Sequence, residues 1–229
     1  MSLPYRPGDR LPDLRLGSMG GNSVSIRDHR GRKVLVYVWA SWCECRERLG
    51  ALQEFHGKRP DVAVVSIACD VTGPEHPMRY LRKAGAAFEM WIDATCAISR
   101  RWGLKRVSVP ILLDEEGSLL KAGNALDAAF LAELEPLLAR PAARKDAPEP
   151  RVDTRNTRVE ILMQACTNFL SRKRTDDAVA ALRKALALDP ENRIIPKQVW
   201  VLRNPEKFYS GPIDMDWQAA QPPVTPLEG

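Results

Sequence analysis

Long apolar runs and targeting features are missing from this sequence. No stretch of its 229 residues approaches the ~20 consecutive apolar residues that cross a bilayer as a helix. Residues 1–17 contain neither the apolar core nor the small-residue cleavage site of a secretory signal peptide. The sequence therefore predicts no membrane span, and we expect a cytoplasmic protein.

The sequence also lacks a concentrated charge of either sign. Lys and Arg together number 34 and Asp and Glu 29, which gives a net charge of +5, but the two signs are interspersed along the chain. A nucleic-acid-binding surface needs a basic stripe together with a recognisable binding motif, and the sequence has neither. This pattern argues against a nucleic-acid partner and favours a mildly basic surface that could attract acidic partners.

Histidine is scarce, and its positions do not indicate a metal site. His29, His56 and His76 are scattered, and none has the spacing of a ligand pair. Five cysteines are present, at positions 43, 45, 69, 96 and 166. An odd number without a signal peptide argues against a framework of structural disulfides. In a reducing compartment, closely spaced cysteines indicate catalysis or a soft-metal site such as one for Cu(I).

The first 140 residues alternate between strand and helix patterns. Continuous apolar runs, typical of strands buried on both faces, occupy residues 33–40 and 61–68. Residues 88–92 and a hairpin over 110–122 complete the predicted sheet. Helical patterns lie at 43–55, 77–84, 95–102 and 128–138. This order predicts an α/β domain over residues 1–140, with a mixed sheet flanked by helices.

The remainder of the chain differs in composition. Residues 141–158 are rich in proline and charge, which predicts a linker. Residues 159–193 contain two helical patterns joined by a short polar connection, which predicts a small α-helical C-terminal module. Residues 194–229 combine many prolines with more aromatic residues than a disordered tail carries. We expect this extension to be irregular and to pack back onto one of the domains.

The closely spaced cysteines lie where a buried strand passes into a helix. Cys43 follows the run at 33–40 and precedes the helical pattern at its N-terminus. Unpaired N–H groups and the helix dipole at such a position favour a thiolate over a thiol. A thiolate near neutral pH is a nucleophile, and a second nearby thiol can resolve the mixed disulfide that it forms. The local pattern therefore predicts thiol–disulfide chemistry at Cys43.

This segment, VYVWASWCECRERLGAL, resembles the active-site segment of the TlpA/ResA-like branch of thioredoxin-fold proteins, within the redoxin (AhpC/TSA) superfamily. The stretches GDRLPDLRL and SVSIRDHRGRKVLV, and Val109-Pro110 followed by ILLDEEG, also match that branch. The resemblance covers about residues 4–140 and implies a thioredoxin-like fold. It implies Cys43 as the attacking thiol, Cys45 as the resolving thiol and Pro110 as a cis-proline. Trp42, Val109 and Pro110 would contact the substrate.

The sequence departs from that family in one important place. The family pattern is CxxC, whereas this chain has CxC. Two cysteines two positions apart on a regular helix point away from each other, so pairing requires Cys43 to lie in the turn before the helix. In an alignment without a gap, Arg46 takes the place of the second cysteine, and Cys43 works alone or with another partner.

Further residues near this motif are candidates for accessory roles. Cys96 opens a predicted helix and Cys69 follows a predicted strand, so both are candidate redox partners of Cys43, with a packed thiol as the alternative for Cys69. The charge of Glu44 could raise the thiol pKa, or Glu44 could simply be solvated, while Arg46 would act in the opposite direction.

The predicted hairpin over 159–193 resembles a tetratricopeptide repeat. Its apolar positions, Leu162, Ala165, Cys166 and Phe169, then Ala178, Leu182 and Ala185, match the packing positions of that repeat. Because a lone repeat leaves an apolar face uncovered, we expect it to pack on the first domain, on the extension or on a second subunit. A homodimer, or partner docking through these helices, would follow from the last case.

The sequence as a whole predicts a thiol–disulfide oxidoreductase that acts on protein or small-molecule thiols and disulfides. It would need an electron donor and no cofactor besides a redox-active disulfide. One alternative is an antioxidant thiol peroxidase, but the Pro-x-x-x-Thr/Ser-x-x-Cys pattern of peroxiredoxins is absent before each candidate cysteine. The other is a non-enzymatic module that binds a soft metal or senses redox state through the CxC motif.

Overall fold

The computed structural model describes residues 3–18, 21–141 and 154–228, with only the backbone of 154–156. Its described part contains one seven-stranded sheet. The strands are β1 (Arg15–Ser18), β2 (Ser23–Ser25), β3 (Val34–Trp39), β4 (Ala63–Ala68), β5 (Glu89–Ile92), β6 (Val109–Leu113) and β7 (Leu119–Ala122). Strands β3 to β7 match the predicted positions to within about two residues, whereas β1 and β2 were not predicted.

The helices fall into two groups along the chain. Within the first group are α1 (Leu49–Lys58), α2 (Glu75–Lys83), α3 (Ala97–Trp102), α4 (Ala128–Ala132) and α5 (Glu135–Leu138), with 3-10 helices at Ile26–His29 and Glu44–Arg48. The second group contains α6 (Thr154–Ser171), α7 (Thr175–Leu188), α8 (Ile194–Arg203), α9 (Glu206–Tyr209) and α10 (Met215–Ala220).

The sheet is mixed, as predicted. Its strand order is β2-β1-β5-β4-β3-β6-β7. Strands β3, β4 and β5 are parallel neighbours, whereas β6 and β7 run antiparallel on one side and β1 and β2 on the other. The carboxyl ends of the three parallel strands therefore meet at one edge, where such sheets carry their ligands and catalytic groups.

Strand β3 shows why its sequence is apolar without interruption. Successive side chains of a strand point to opposite faces of the sheet. On β3, Val34, Val36 and Val38 belong to the apolar core on one face, and Leu35, Tyr37 and Trp39 to the core on the other. Both faces are covered by helices, so every residue of the strand is buried.

The C-terminal helices cover one face of this sheet. Residues of α6, α7 and α8, including Met163, Leu182 and Val199, share one apolar core with β3, β4 and α3. The opposite face is covered by α1, α2, α4 and α5. The apolar side of the α6–α7 hairpin is thus buried within the chain itself. Its likeness to a tetratricopeptide repeat stays a prediction.

Two secondary-structure expectations were wrong. The single helix predicted over 128–138 is two short helices, because Pro136 lies in the first turn of α5 and has no N–H to continue the hydrogen bonds of α4. The extension predicted to be irregular contains α8, α9 and α10. Its prolines Pro196 and Pro205 lie at helix starts, where a missing N–H costs little.

Most of the predicted linker at 141–158 lies outside the described residues, so it stays a prediction. No helix in the described ranges is both long and apolar enough to cross a membrane.

Candidate active site

The turn after β3 places Cys43 in front of a helix. Its backbone is extended, with φ −114° and ψ 140°, and it caps the 3-10 helix Glu44–Arg48 that leads into α1. The Cys43 Sγ accepts a hydrogen bond from the backbone N–H of Cys45 at 3.3 Å. This is the position that the CxC spacing requires, because the first cysteine stands outside the helix that holds the second.

The two thiols have opposite acid–base behaviour. The pKa of Cys43 is lowered, chiefly by a hydrogen bond from the Cys45 side chain and also by the Cys45 backbone N–H, although burial acts against them. Burial raises the pKa of Cys45, which is only 7% exposed, and its interaction with Cys43 raises it further. Cys43 is therefore the thiol that ionises first, and Cys45 keeps its proton.

Two charged side chains act on Cys43 from opposite directions. The ammonium of Lys197, in α8, lowers the pKa of Cys43, whereas the carboxylate of Glu44 raises it. The pKa of Lys197 is itself lowered by burial.

Cys43 lies in a cleft between the sheet and the C-terminal helices. The cleft has a volume of about 210 Å³. The first part of the chain contributes Trp42, Cys43, Glu44, Arg106 and Val107, and the second contributes Arg193, Lys197, Ile213, Met215 and Gln218. Cys43 is half-buried and lines this cleft, so a disulfide that enters the cleft can reach it.

Hydrogen bonds to the sheet edge fix the floor of the cleft. The indole Nε1 of Trp42 donates to the Cys69 carbonyl at 3.1 Å, and the Gln198 amide donates to the same oxygen at 2.8 Å. Trp42 is only 4% exposed. The predicted substrate contact at Trp42 is thus held rigidly by groups from both parts of the chain.

A buried carboxyl group supports the turn that carries Cys43. Asp70, at the end of β4, accepts a hydrogen bond from the Ser41 N–H at 3.0 Å and another from the Ser41 hydroxyl. The Ser41 hydroxyl also lies 3.0 Å from the hydroxyl of Tyr209. Burial raises the pKa of Asp70 to about 7, although the bonds from Ser41 oppose the shift.

Arg46 is an anchor between the cysteine motif and the end of the chain. It is 6% exposed, and its Nη1 donates to the carbonyls of Ser41 and Phe208, both at 2.8 Å. Its Nη2 donates to the Gly211 carbonyl at 3.1 Å, and the guanidinium stacks on the Tyr80 ring at 4.3 Å. Arg46 therefore ties the C-terminal segment to the active-site turn.

The cis-proline expected at Pro110 is absent. Among the described residues no peptide bond is cis. Val109 and Pro110 belong to β6 and pair in register with Val38 and Tyr37 of β3, an extended arrangement in which a trans X–Pro bond is the favoured form. Both residues are buried, so their predicted contact with substrate stays a prediction.

Cys69 and Cys96 reach the predicted edge of the sheet but lie inside the protein. Both are fully buried, and burial raises the pKa of each thiol well above its usual value. Cys96 precedes α3 in a left-handed conformation, with φ 52°. Neither residue lines the cleft around Cys43. A direct exchange between Cys96 and Cys43 stays a prediction, and so does a soft-metal role for the CxC motif.

Sequence reasoning missed the basic residues of the cleft. Lys197 lies in α8, within the extension that was expected to be irregular. Arg193 directly precedes that helix, and Arg106 precedes β6. The spacing of four residues between Arg193 and Lys197 is a signal that could have been used, because residues four apart share one side of a helix.

The first part of the chain is similar to known proteins. The AhpC/TSA family matches residues 7–133, which is more than half of the chain. The thiol-disulfide oxidoreductase ResA of Halalkalibacterium halodurans is 24% identical over 118 residues, which cover 51% of this chain and 67% of ResA. The thioredoxin-like protein YneN of Bacillus subtilis is 26% identical over 114 residues, 48% of this chain and 66% of YneN.

Solved structures resemble the same part of the chain. A Chlorobium tepidum structure, described as a thiol:disulfide interchange protein DsbE, matches with a TM-score of 0.53 and 27% identity, covering 58% of this chain and 94% of its own. The thioredoxin domain of a Bacteroides vulgatus thiol-disulfide oxidoreductase matches with a TM-score of 0.53 and 20% identity, covering 58% and 99%. The predicted thioredoxin-like fold is confirmed.

Proposed function

Because this chain belongs to the AhpC/TSA family, we propose that it is a thiol–disulfide oxidoreductase that works through Cys43 and Cys45. The observation that carries this proposal is the pair of thiols itself. The Cys43 sulfur accepts the Cys45 N–H at 3.3 Å and has a lowered pKa, while the adjacent Cys45 is buried and stays protonated. An attacking thiolate beside a resolving thiol is the requirement for disulfide exchange.

The reaction begins at the half-buried thiolate. The Cys43 thiolate attacks one sulfur of a substrate disulfide, the substrate S–S bond breaks, and the other substrate sulfur leaves as a thiolate that takes a proton from solvent. Cys43 is then joined to the substrate in a mixed disulfide. Its negative charge is gone, so one of the groups that raise the pKa of Cys45 no longer acts.

The second exchange releases the product. Cys45 loses its proton and attacks the Cys43 sulfur, the mixed disulfide breaks, and the second substrate thiolate leaves. Two electrons pass from the protein to the substrate, and Cys43 and Cys45 are left as a disulfide. A thiol or dithiol donor must reduce that disulfide before the next cycle. If the donor is itself the target, the same steps run in reverse and the protein acts as an oxidant.

The substrates fall in the class of protein or small-molecule thiols and disulfides. A cytoplasmic location and a homodimer, or docking through the C-terminal helices, stay predictions. The sequence does not favour the thiol peroxidase alternative, because the peroxiredoxin pattern is absent before each candidate cysteine.

Reduction of insulin disulfides with dithiothreitol as the electron donor tests this function. We expect the reduced protein to accelerate the reaction and Cys43→Ser to abolish the acceleration. In parallel, stopped-flow mixing with hydrogen peroxide should give only the slow oxidation of an ordinary thiolate. Fast second-order oxidation by peroxide without any disulfide exchange would identify a thiol peroxidase and overturn the proposal.

A further inference from the structure

The cleft beside Cys43 is rich in cations that lack acidic partners. Arg106, Arg193 and Lys197 line it together with one acid, Glu44. Lys197 donates to the amide oxygen of Gln218, and Arg106 donates to the amide oxygen of Asn124. Within the described ranges none of the three cations has a carboxylate within salt-bridge distance, and the partners of Lys197 and Arg106 are neutral amides.

The cations just outside the cleft are paired differently. Lys105, the neighbour of Arg106, bonds Asp189 at 2.6 Å. Arg203, at the end of α8, bonds Asp176, also at 2.6 Å. Lys207 forms an ion pair at 3.1 Å with Asp214, which directly follows the cleft residue Ile213. These three neighbours of the cleft therefore have the carboxylate partners that the three cleft cations lack.

From this arrangement we infer that the cleft selects small disulfides that carry carboxylate groups. The inference rests on the proposed function and narrows its substrate class. A carboxylate placed near the disulfide would receive charge-assisted hydrogen bonds from Arg193 or Arg106, which are about twice as strong as neutral ones. Lys197 would meet both this negative charge and the thiolate of Cys43.

The size and lining of the cleft favour a small molecule over a folded protein. Its volume of about 210 Å³ lies below the roughly 300–1,000 Å³ of pockets for drug-sized ligands. Apolar side chains of Trp42, Val107 and Ile213 form the part of the wall that can hold the short aliphatic stem of such a disulfide. Helices α8 and α10 stand on one side, which narrows the approach of a larger partner to the half-buried Cys43.

The selecting groups come mainly from outside the family-matched part of the chain. The family match ends at residue 133, whereas Arg193, Lys197, Ile213, Met215 and Gln218 follow it. The nucleophile therefore belongs to the shared region, and most of the cleft wall is supplied by the C-terminal helices of this chain.

Three symmetrical disulfides of similar size test the inference on the full-length reduced protein. These are dithiodipropionate, which is anionic, hydroxyethyl disulfide, which is neutral, and cystamine, which is cationic. Each second-order rate of protein oxidation is divided by the rate of the same disulfide with 2-mercaptoethanol, which removes differences in intrinsic reactivity. We expect the anionic compound to exceed the cationic one by about tenfold or more at low ionic strength, and the ratio to shrink in 0.5 M salt.

Variants of Arg193 locate the effect. Arg193→Gln should reduce the normalised rate of dithiodipropionate several-fold more than that of cystamine, and Arg193→Lys should restore most of the preference. Arg172→Gln removes the same charge from an exposed position outside the cleft and should leave all three rates unchanged. Thermal unfolding of each variant checks that its fold is intact.

The possible outcomes distinguish the preference for anionic disulfides from disulfide exchange itself. Equal normalised rates for the three compounds, or faster reaction with insulin disulfides than with dithiodipropionate, would overturn the substrate class but leave disulfide exchange standing. No reaction with any disulfide, insulin included, would overturn the proposed function and the inference with it. A preference for the anion that survives Arg193→Gln, Lys197→Gln and 0.5 M salt would also contradict the inference.

Discussion

Residues 7–133 and residues 154–220 both reach the cleft at Cys43, but they bring different groups to it. The first region supplies the two thiols, the strand-to-helix turn and the tryptophan floor. The second supplies an ammonium that acts on the thiolate, an exposed guanidinium and a helical wall. The thiols thus come from the region that matches a family, and most of the surrounding cleft wall comes from the region that does not.

The two regions are nonetheless joined by buried polar contacts. Arg46 binds the carbonyls of Phe208 and Gly211, Gln198 binds the carbonyl of Cys69, and Asn192 donates to the Ser99 hydroxyl at 2.9 Å. Because breaking such contacts leaves buried groups without partners, the C-terminal helices are a fixed part of the site. Four predictions test where this division of labour holds and where it fails.

The largest effect should come from the thiols of the first region. Cys43→Ser should lower the rate of disulfide exchange by about 10³-fold or more, because a hydroxyl does not ionise near neutral pH. Cys45→Ser should still perform the first attack but stop at the mixed disulfide, which mass spectrometry of the protein after mixing with substrate would detect. Equal activity of the wild type and Cys43→Ser would rule out Cys43 as the nucleophile.

Asp70 predicts a pH-dependent stability at the junction of the regions. Its folded pKa of about 7 lies above the usual 3.8, so the stability linked to its protonation is complete below about pH 4 and is lost as the pH rises through 7. We expect the free energy of unfolding to fall between these limits by as much as about 4 kcal/mol. Urea unfolding at a series of pH values measures this change.

Two variants isolate the contribution of Asp70. Asp70→Asn should reduce the pH dependence and leave the part due to Asp93, whose pKa burial also raises. Asp216→Asn, at an exposed acid in α10, should leave it as in the wild type. A slope that persists unchanged in Asp70→Asn would assign the effect to other groups.

Removing Arg46 should separate the two regions. Arg46→Ala leaves the carbonyls of Ser41, Phe208 and Gly211 without their donor, and we expect a loss of about 3 kcal/mol in the free energy of unfolding. Amide hydrogen exchange should rise over residues 206–220. Arg48→Ala, on the exposed side of the same 3-10 helix, is the matched control and should change stability by less than about 0.5 kcal/mol. If hydrogen exchange over residues 206–220 did not rise in Arg46→Ala, Arg46 would not hold this segment against the active-site turn.

The smallest effect should come from the charge that the second region places near Cys43. Lys197→Gln should raise the pKa of Cys43, because the ammonium that favours the thiolate is gone. We expect the rate of alkylation by iodoacetamide at pH 7 to fall by about twofold to fivefold, and less at high salt. Glu44→Gln should act in the opposite direction. A pH profile of alkylation that is identical in the three proteins would show that neither charge acts on Cys43.

The sequence predicted those features of the fold that depend on a single strand or helix and its immediate neighbours. The alternation of β3 between two cores and the position of Cys43 before a helix follow from local patterns, because both depend on neighbours within a few residues. The break at Pro136 is also a local effect, and it was missed only because the apolar spacing continues across it.

The cleft could not be predicted in the same way. It joins Cys43 to Lys197 and Met215, each of which lies more than 150 residues after Cys43 in the sequence. No local rule predicts that such distant residues meet. The prolines of the extension hid its helices, since their positions at helix starts are evident only once those starts are known. For the same reason Arg46 was a candidate for pKa tuning, whereas its contacts depend on the distant carbonyls of Phe208 and Gly211.

The pairing of Cys43 with Cys45 is the central claim, and a disulfide map of the oxidised protein tests it most directly. The protein would be oxidised with a mild disulfide, blocked with an alkylating reagent, digested and analysed by mass spectrometry. We predict an intramolecular Cys43–Cys45 disulfide, with Cys69, Cys96 and Cys166 alkylated only after unfolding. A disulfide between Cys43 and Cys96, or disulfides only between two molecules, would contradict the account.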